Sequence, residues 1–393
     1  MDSLVAFFGT YTNRLPHVDG KGRGIYRARF DATTGELSGV TLAAEQANPT
    51  YLALAPNKRT LYAVSEIDEF EGEFGGSLSA YAIDPSTQAL TLLNREPTRG
   101  AFPCHVAVDT TSQTVIVANY GSGSKVALRG RAARKWPSEG PSRGWAIAIF
   151  PTDAAGRLKP ASDLVKLTGS GPNPERQQGP HAHHIGLSPD NRFVLVNDLG
   201  TDSVLVYQFD TTKGPHASGE LKLTPNPVAP LAKLSPGAGP RHLDFHPSGK
   251  YVYVINELDA TITVFAYDAV NGALENKQTL STLPPGWSGV KSCAAVRVHP
   301  SGKFVYGSNR GHDSIALFAI AEATGMLTTR GHVSTQGKEP RDFAIDPSGR
   351  FLLAENQDTG TVVSFQIDPV HGSLTPTGHV AHVPTPVCLT FLT

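Results

Sequence analysis

Apolar and polar residues alternate in short runs along the chain, separated by turns rich in glycine, proline and asparagine. In Thr261-Ile262-Thr263-Val264-Phe265-Ala266-Tyr267 and Thr361-Val362-Val363-Ser364-Phe365-Gln366-Ile367 the period is two, as in a strand that turns one face to a core. A turn at Asn271-Gly272 follows the first run and one at His371-Gly372 the second, and each leads into a further strand.

These hairpins belong to a repeat. Arg241 to Asn256 contains His246-Pro247-Ser248-Gly249-Lys250, and Cys293 to Asn309 contains the same phrase from His299 to Lys303. Arg341 to Asn356 is a third copy, around Pro347; His183 to Asp198, Thr50 to Ser65 and Cys104 to Asn119 follow the pattern around Pro189, Pro56 and Thr110. From Pro247 to Pro300 is 53 residues and from Pro300 to Pro347 is 47, the length of a four-stranded propeller blade with modest loops. The seventh unit is divided between the chain ends: Pro386 to Thr393 reads as a lone first strand, and Val5 to Thr10 and Gly24 to Phe30 as the strands after it. The expected fold is all-β, a single domain over residues 1–393: a seven-bladed β-propeller of four-stranded antiparallel blades, closed by a blade shared between the N- and C-termini. Such closure leaves no free sheet edge, and a pair of β-sandwiches predicts no such regular register.

Two stretches break the period. Residues 125–145, basic and carrying Trp136 and Trp145, interrupt a hairpin and read as a solvated polar/basic insertion rather than a site for an anionic partner. Residues 169–180 form a polar loop that leads into Pro180-His181-Ala182-His183-His184, where it is placed to cap a site.

Composition narrows the partners. With 34 Lys and Arg against 35 Asp and Glu the net charge is −1, so no global field draws the chain to nucleic acid or a membrane, and an anion must be held locally. No apolar run is long enough to span a bilayer, and the first residues lack the charged opening and apolar length of a secretory signal. Cys104, Cys293 and Cys388 form neither a CxxC pair nor a zinc spacing, and a cytoplasmic location is expected. The sequence carries no Walker or dinucleotide fingerprint, so no cofactor is expected.

The repeat also places the chemistry. The first strand of a blade lines the tunnel and the second returns antiparallel, so the start of one and the end of the other meet on one face. Six residues before the mid-unit anchor stand Thr50, Cys104, His183, Arg241, Ala294 and Arg341; ten after it stand Glu66, Tyr120, Leu199, Glu257, Arg310 and Gln357. Positions that vary among near-copies are those least bound by packing, and here they are mainly His, Arg and Glu. The adjacent row, Ser65, Asn119, Asp198, Asn256, Asn309 and Asn356, is nearly uniform and reads as turn chemistry, side chains bonding their own backbone.

Arg241, Arg310 and Arg341 suit a clamp for a carboxylate or phosphate, or equally a structural network with Glu66 and Glu257. His181 and His183 make a His-x-His pair with no third ligand nearby, so no metal is expected. A neutral His183 beside an arginine is a general-base candidate. Further candidate substrate contacts are His181, Arg341, Glu66 and His105. His246, His299 and His312 sit in repeat phrases or turns and read as structural.

Phe8-Gly9-Thr10-Tyr11-Thr12, Asn48-Pro49-Thr50-Tyr51-Leu52, Pro180-His181-Ala182-His183, Gly239-Pro240-Arg241-His242-Leu243 and Ser308-Asn309-Arg310-Gly311-His312-Asp313 occur in order. Together they resemble the seven-bladed lactonase family of bacterial 6-phosphogluconolactonases and fungal carboxymuconate lactonizing enzymes. The resemblance covers nearly the whole chain and lapses at residues 125–145, where the family has a short hairpin. It implies a site of one histidine, two arginines and a glutamate at the tunnel mouth, falling on His183, Arg241, Arg310 and Glu257. It also implies metal-free attack of water on an anionic sugar lactone, most simply 6-phosphogluconolactone. Arg241 and Arg310 would hold the anion and the charge developing on the ring-ester oxygen, and Glu257 or His183 would take the proton. Arg341 and His181 would supply the extra donors a phosphate needs. One rival is a carboxy-cis,cis-muconate cyclase, which uses the same clamp but removes a carbon-bound proton. The other is a non-catalytic propeller scaffold, against which the polar rim argues.

Overall fold

The computed structural model describes residues 3–121, 144–209 and 221–393. Its main strands form seven antiparallel sheets, and the divided blade is present: Pro386–Leu392 is its innermost strand, followed by Ser3–Thr10, Gly24–Asp31 and Leu37–Glu45. Phe8 stands opposite Leu389 and Val5 opposite Leu392, so the chain ends are held in one ladder. Counting this as blade 1, blades 2 to 7 begin at Leu52–Leu54, Pro103–Val108, Ala182–Leu187, Pro240–Phe245, Ser292–Val298 and Pro340–Ile345. Each innermost strand lies beside the next, and the ring closes around a tunnel. The outer edge of blade 4 is split between Leu223–Pro225 and Leu231–Lys233. Of the 125–145 insertion, only Gly144 and Trp145 fall within the described residues.

The second strand of each blade is covered on both faces by its neighbours, so it reads as an almost unbroken apolar run, as in Tyr251–Asn256. Between blades 5 and 6, Ile255, Ile262 and Val264 meet Val296, Val305 and Phe318; between blades 6 and 7, Tyr306 and Leu317 meet Phe343, Leu352 and Phe365. Burying a side chain such as Phe318 stabilises the fold by roughly 1.5–3 kcal/mol. Polar contacts recur at the same seams: the hydroxyls of Tyr62, Tyr253 and Tyr306 donate to the carbonyls of Gly156, Gly325 and Gly372 in the following blade. Gly372 has φ of 72°, and a Cβ there would lie 2.6 Å from the Phe304 ring, so conformation and packing both require glycine.

The near-uniform row is divided: Asp198 keeps the expected turn chemistry, accepting from Gly200 N at 3.1 Å, and Asn256 stays in its own hairpin, donating to Thr261 Oγ1 at 2.8 Å, whereas three asparagines reach another blade. Asn119 Nδ2 donates to Thr98 O at 3.4 Å, Asn309 to Thr282 O at 2.7 Å and Asn356 to Thr335 O at 3.1 Å. Each acceptor lies just past the outer strand of the preceding blade. These three therefore tie blade to blade, because a side chain at the end of a doubly covered strand can face a neighbour's carbonyl as well as its own turn. His246 and His299 likewise join Gly302 O and Gly349 O of the following blade, a structural role.

Candidate active site at the tunnel mouth

A β-bulge near the start of the first strand sets the rim. Pairing skips a residue between Ala182 and His184, between Pro240 and His242 and between Pro340 and Asp342, leaving His183, Arg241 and Arg341 out of register. The bulge aims consecutive side chains into the tunnel: the rings of His183 and His184 lie 5.4 and 4.9 Å from that of His242.

The two counted rows meet as a charged cluster centred on Glu257. Glu257 is 4% exposed; its Oε2 lies 2.9 Å from Arg310 Nη2 and 3.0 Å from Arg241 Nε, the latter a contact not aligned as a hydrogen bond. Its Oε1 accepts from Arg176 Nη2 at 2.5 Å. Burial alone would raise the Glu257 pKa, but Arg310, Arg176 and Arg241 hold it well below the ordinary carboxylate value. Arg241 Nη1 donates to Ala294 O at 2.8 Å, and burial beside Arg310 and Arg341 lowers its pKa to about 10. Arg310 Nη2 also donates to Cys293 O at 3.0 Å.

His183 is 5% exposed, and its Nδ1 has no partner among the described residues. Burial, then Arg241, drives its pKa well below the ordinary imidazole value, so it is neutral at pH 7. His181 stacks on Tyr120 with centroids 4.2 Å apart and shares a 2.8 Å hydrogen bond with Tyr120 O; burial lowers its pKa to about 4.

A second cluster stands beside the first. Glu66 accepts from Tyr11 Oη at 2.9 Å and Thr50 Oγ1 at 2.6 Å, and burial raises its pKa. Arg341 Nη2 donates to the same Tyr11 hydroxyl at 3.0 Å. His105 lies apart from both. Its ring is 4.0 Å from His184 and 4.0 Å from Tyr51, and Tyr51 and His184 line a cavity of about 360 Å³ with Arg297, so the structure sets His105 one layer down the tunnel. Among the described residues no three His, Cys, Asp or Glu side chains are arranged to hold a metal.

Three of these contributors were not selected from the sequence. Arg176 comes from the 169–180 loop, which was expected to cap a site, but no register marks which of its residues reaches in. Tyr11 directly follows Ser3–Thr10 and is the blade 1 member of the row that holds Glu66 and Glu257; extending the count to the divided blade finds it. His17, on a hairpin of Arg14–Leu15 and Val18–Asp19, carries no sequence signal.

The sequence pattern of the family described as "Lactonase, 7-bladed beta-propeller" matches residues 5–391. A 6-phosphogluconolactonase of Bacillus subtilis is 35% identical over 100% of this chain and 99% of its own length. A crystal structure from Bacteroides fragilis, described as a candidate 6-phosphogluconolactonase, superposes with TM-score 0.85 at 34% identity, covering 99% of this chain and 98% of that one. The periplasmic gluconolactonase of Pseudomonas aeruginosa superposes with TM-score 0.86 at 30% identity, covering 100% of this chain and 99% of that one.

Proposed function

Because the chain belongs to the seven-bladed β-propeller lactonase family, we propose that it hydrolyses 6-phosphogluconolactone at the Glu257 cluster by direct attack of water. The observation that carries this reading is the division of labour between Glu257 and His183. Glu257 is bound by three guanidiniums and would have to break those pairs to take a proton, so it serves to position Arg241 and Arg310. His183 is neutral, so of the two it is the group able to accept one.

Water adds to the lactone carbonyl carbon as His183 takes its proton. Arg241 and Arg310 stabilise the oxyanion with charges already oriented, an effect worth roughly 3–4 kcal/mol per donor. The tetrahedral species then breaks its bond to the ring oxygen, which receives the proton back from His183 and leaves as a hydroxyl. The new carboxylic acid ionises and releases one proton to solvent. An anionic substrate next to Arg241 offsets the field that keeps His183 from protonating, so binding makes the base stronger when it is needed.

Stopped-flow measurement of proton release from 6-phosphogluconolactone, against the spontaneous rate, tests the reading. Arg241→Ala is expected to lose about 100-fold or more in kcat/KM, and His183→Asn to lose most of the acceleration. Because the His183 pKa is depressed, wild-type kcat/KM should stay level as pH falls from 8 through 6.5, where an ordinary imidazole would protonate and cease to act as a base. Wild type no faster than the spontaneous reaction would remove the proposal and turn attention to the carboxymuconate reaction.

A further inference from the structure

The rim arginines are not equivalent. Arg176, Arg241 and Arg310 close on Glu257, whereas Arg341 makes no ion pair among the described residues. Its guanidinium lies over the Tyr11 ring, 5.3 Å from the centroid, and donates to the Tyr11 hydroxyl, which in turn donates to Glu66. His17 stands at the same hydroxyl, with Nε2 3.4 Å away and its ring edge-on to Tyr11. The hairpin that presents His17 leaves the chain just after Tyr11. It also walls a groove of about 510 Å³ lined by Arg14, His17 and Lys21 on one side and Gln357 and Asp358 on the other. Gln357, a member of the rim row, is 2% exposed, and its Oε1 has no partner among the described residues.

We infer that Arg341 and His17, with the Tyr11 hydroxyl between them, form a subsite for a phosphomonoester dianion, beside the Glu257 cluster that takes the lactone ring. This rests on the lactonase reading and names the group that separates a phosphorylated sugar lactone from a plain one. A phosphomonoester offers three acceptor oxygens and up to two negative charges, and a guanidinium not already held by a carboxylate is the natural bidentate partner. The groups acting on His17 are Tyr11, Arg341, Arg310, Glu257 and Arg176. Although the side chain keeps access to solvent, partial burial, then Arg341 and Arg310, lower its pKa to about 4, so it is neutral at pH 7 in the free protein. A dianion placed between His17 and Arg341 reverses that field and favours the imidazolium, which then donates to the phosphate. Binding of a phosphorylated ligand therefore takes up a proton, and binding of its unphosphorylated counterpart does not.

The test is calorimetric titration of 6-phosphogluconate and of gluconate near pH 7, each in two buffers of different ionisation enthalpy. Wild type should bind the phosphorylated acid at least about tenfold more tightly and take up a fraction of a proton. His17→Asn should abolish the uptake, Arg341→Met should remove most of the preference, and Arg341→Lys should retain part of it. His17→Asn changes only an exposed hairpin, so its result does not depend on refolding of the core. Preference and proton uptake that survive both His17→Asn and Arg341→Met overturn the inference, as does an Arg341→Met variant that weakens both acids equally. The lactone-opening assay judges the catalytic reading separately. A wild type that opens no lactone, yet loses its phosphate preference on His17→Asn, sinks catalysis and keeps the subsite. Rapid opening with an unchanged phosphorylated-to-plain kcat/KM ratio in both variants does the reverse.

Discussion

Glu257 in blade 5 and Glu355 in blade 7 are both buried carboxyls near the ends of second strands, at 4% and 0% exposure, yet their charge states are opposite. Glu257 is surrounded by three guanidiniums and stays ionised. Neither oxygen of Glu355 has a hydrogen-bond partner among the described residues, and the nearby Asp342 carboxylate is already taken by Arg297 Nη2 at 2.8 and 3.1 Å. Burial, then the charge of Asp342, raises the Glu355 pKa well above the ordinary value, so it is a neutral acid. Burial alone thus leaves the charge of a buried carboxyl open, and the number of guanidiniums within reach decides it.

The sharpest way to break this comparison is to remove the anion that the arginines share. Glu257→Ala leaves Arg241 and Arg310 buried without their counter-charge and is expected to cost about 3–5 kcal/mol by denaturant unfolding, together with nearly all activity. A loss below about 1 kcal/mol would mean that the arginines are held without Glu257.

Glu355→Gln removes an acid that is already neutral, and at pH 7 it should leave stability unchanged or raised. The two sites carry opposite pH signs. Glu355, with a raised folded pKa, contributes fully below the unfolded value of about 4.3, and that contribution is lost as pH rises. Glu257, with a depressed folded pKa, contributes above about 4.3 and loses its contribution as pH falls. Unfolding free energy measured from pH 3 to 8 should accordingly flatten on the alkaline side in Glu355→Gln and on the acid side in Glu257→Gln. Equal slopes in the two variants would overturn the comparison.

The smallest effect lies outside both sites. Asn309→Ala removes one bond between blades and is expected to cost about 1 kcal/mol with kcat retained, because the Thr282 carbonyl keeps its contact with His332 Nε2 at 2.9 Å.

Much of this could be read from the chain, because a propeller repeats its packing demands in every blade. The Pro-Ser-Gly turns, the apolar second strands and the divided blade follow from one register, and the same register placed His183, Arg241, Glu257 and Arg310 on one face. It failed where a residue answers to a neighbour rather than to its own unit. Arg176 and His17 reach the mouth from connections with no repeat position. Asn119, Asn309 and Asn356 look local in the sequence because their acceptors lie 21 to 27 residues back, in another blade. Glu355 has a partial signal: its place holds Val64, Ala118 and Ile255 in three units and the neutral polar Asn197 and Ser308 in two, and it is the one acid among them.

Sequence alone determined the all-β repeat, the closure of the ring by the chain ends and the residue types at the rim, since each is a matter of periodicity and count along one chain. Only the tertiary structure decided which arginines share Glu257, which one is left to Tyr11, that His183 is neutral and that Glu355 holds its proton. Those outcomes depend on distances of a few ångströms between blades, over which Coulomb interaction and desolvation compete at comparable size.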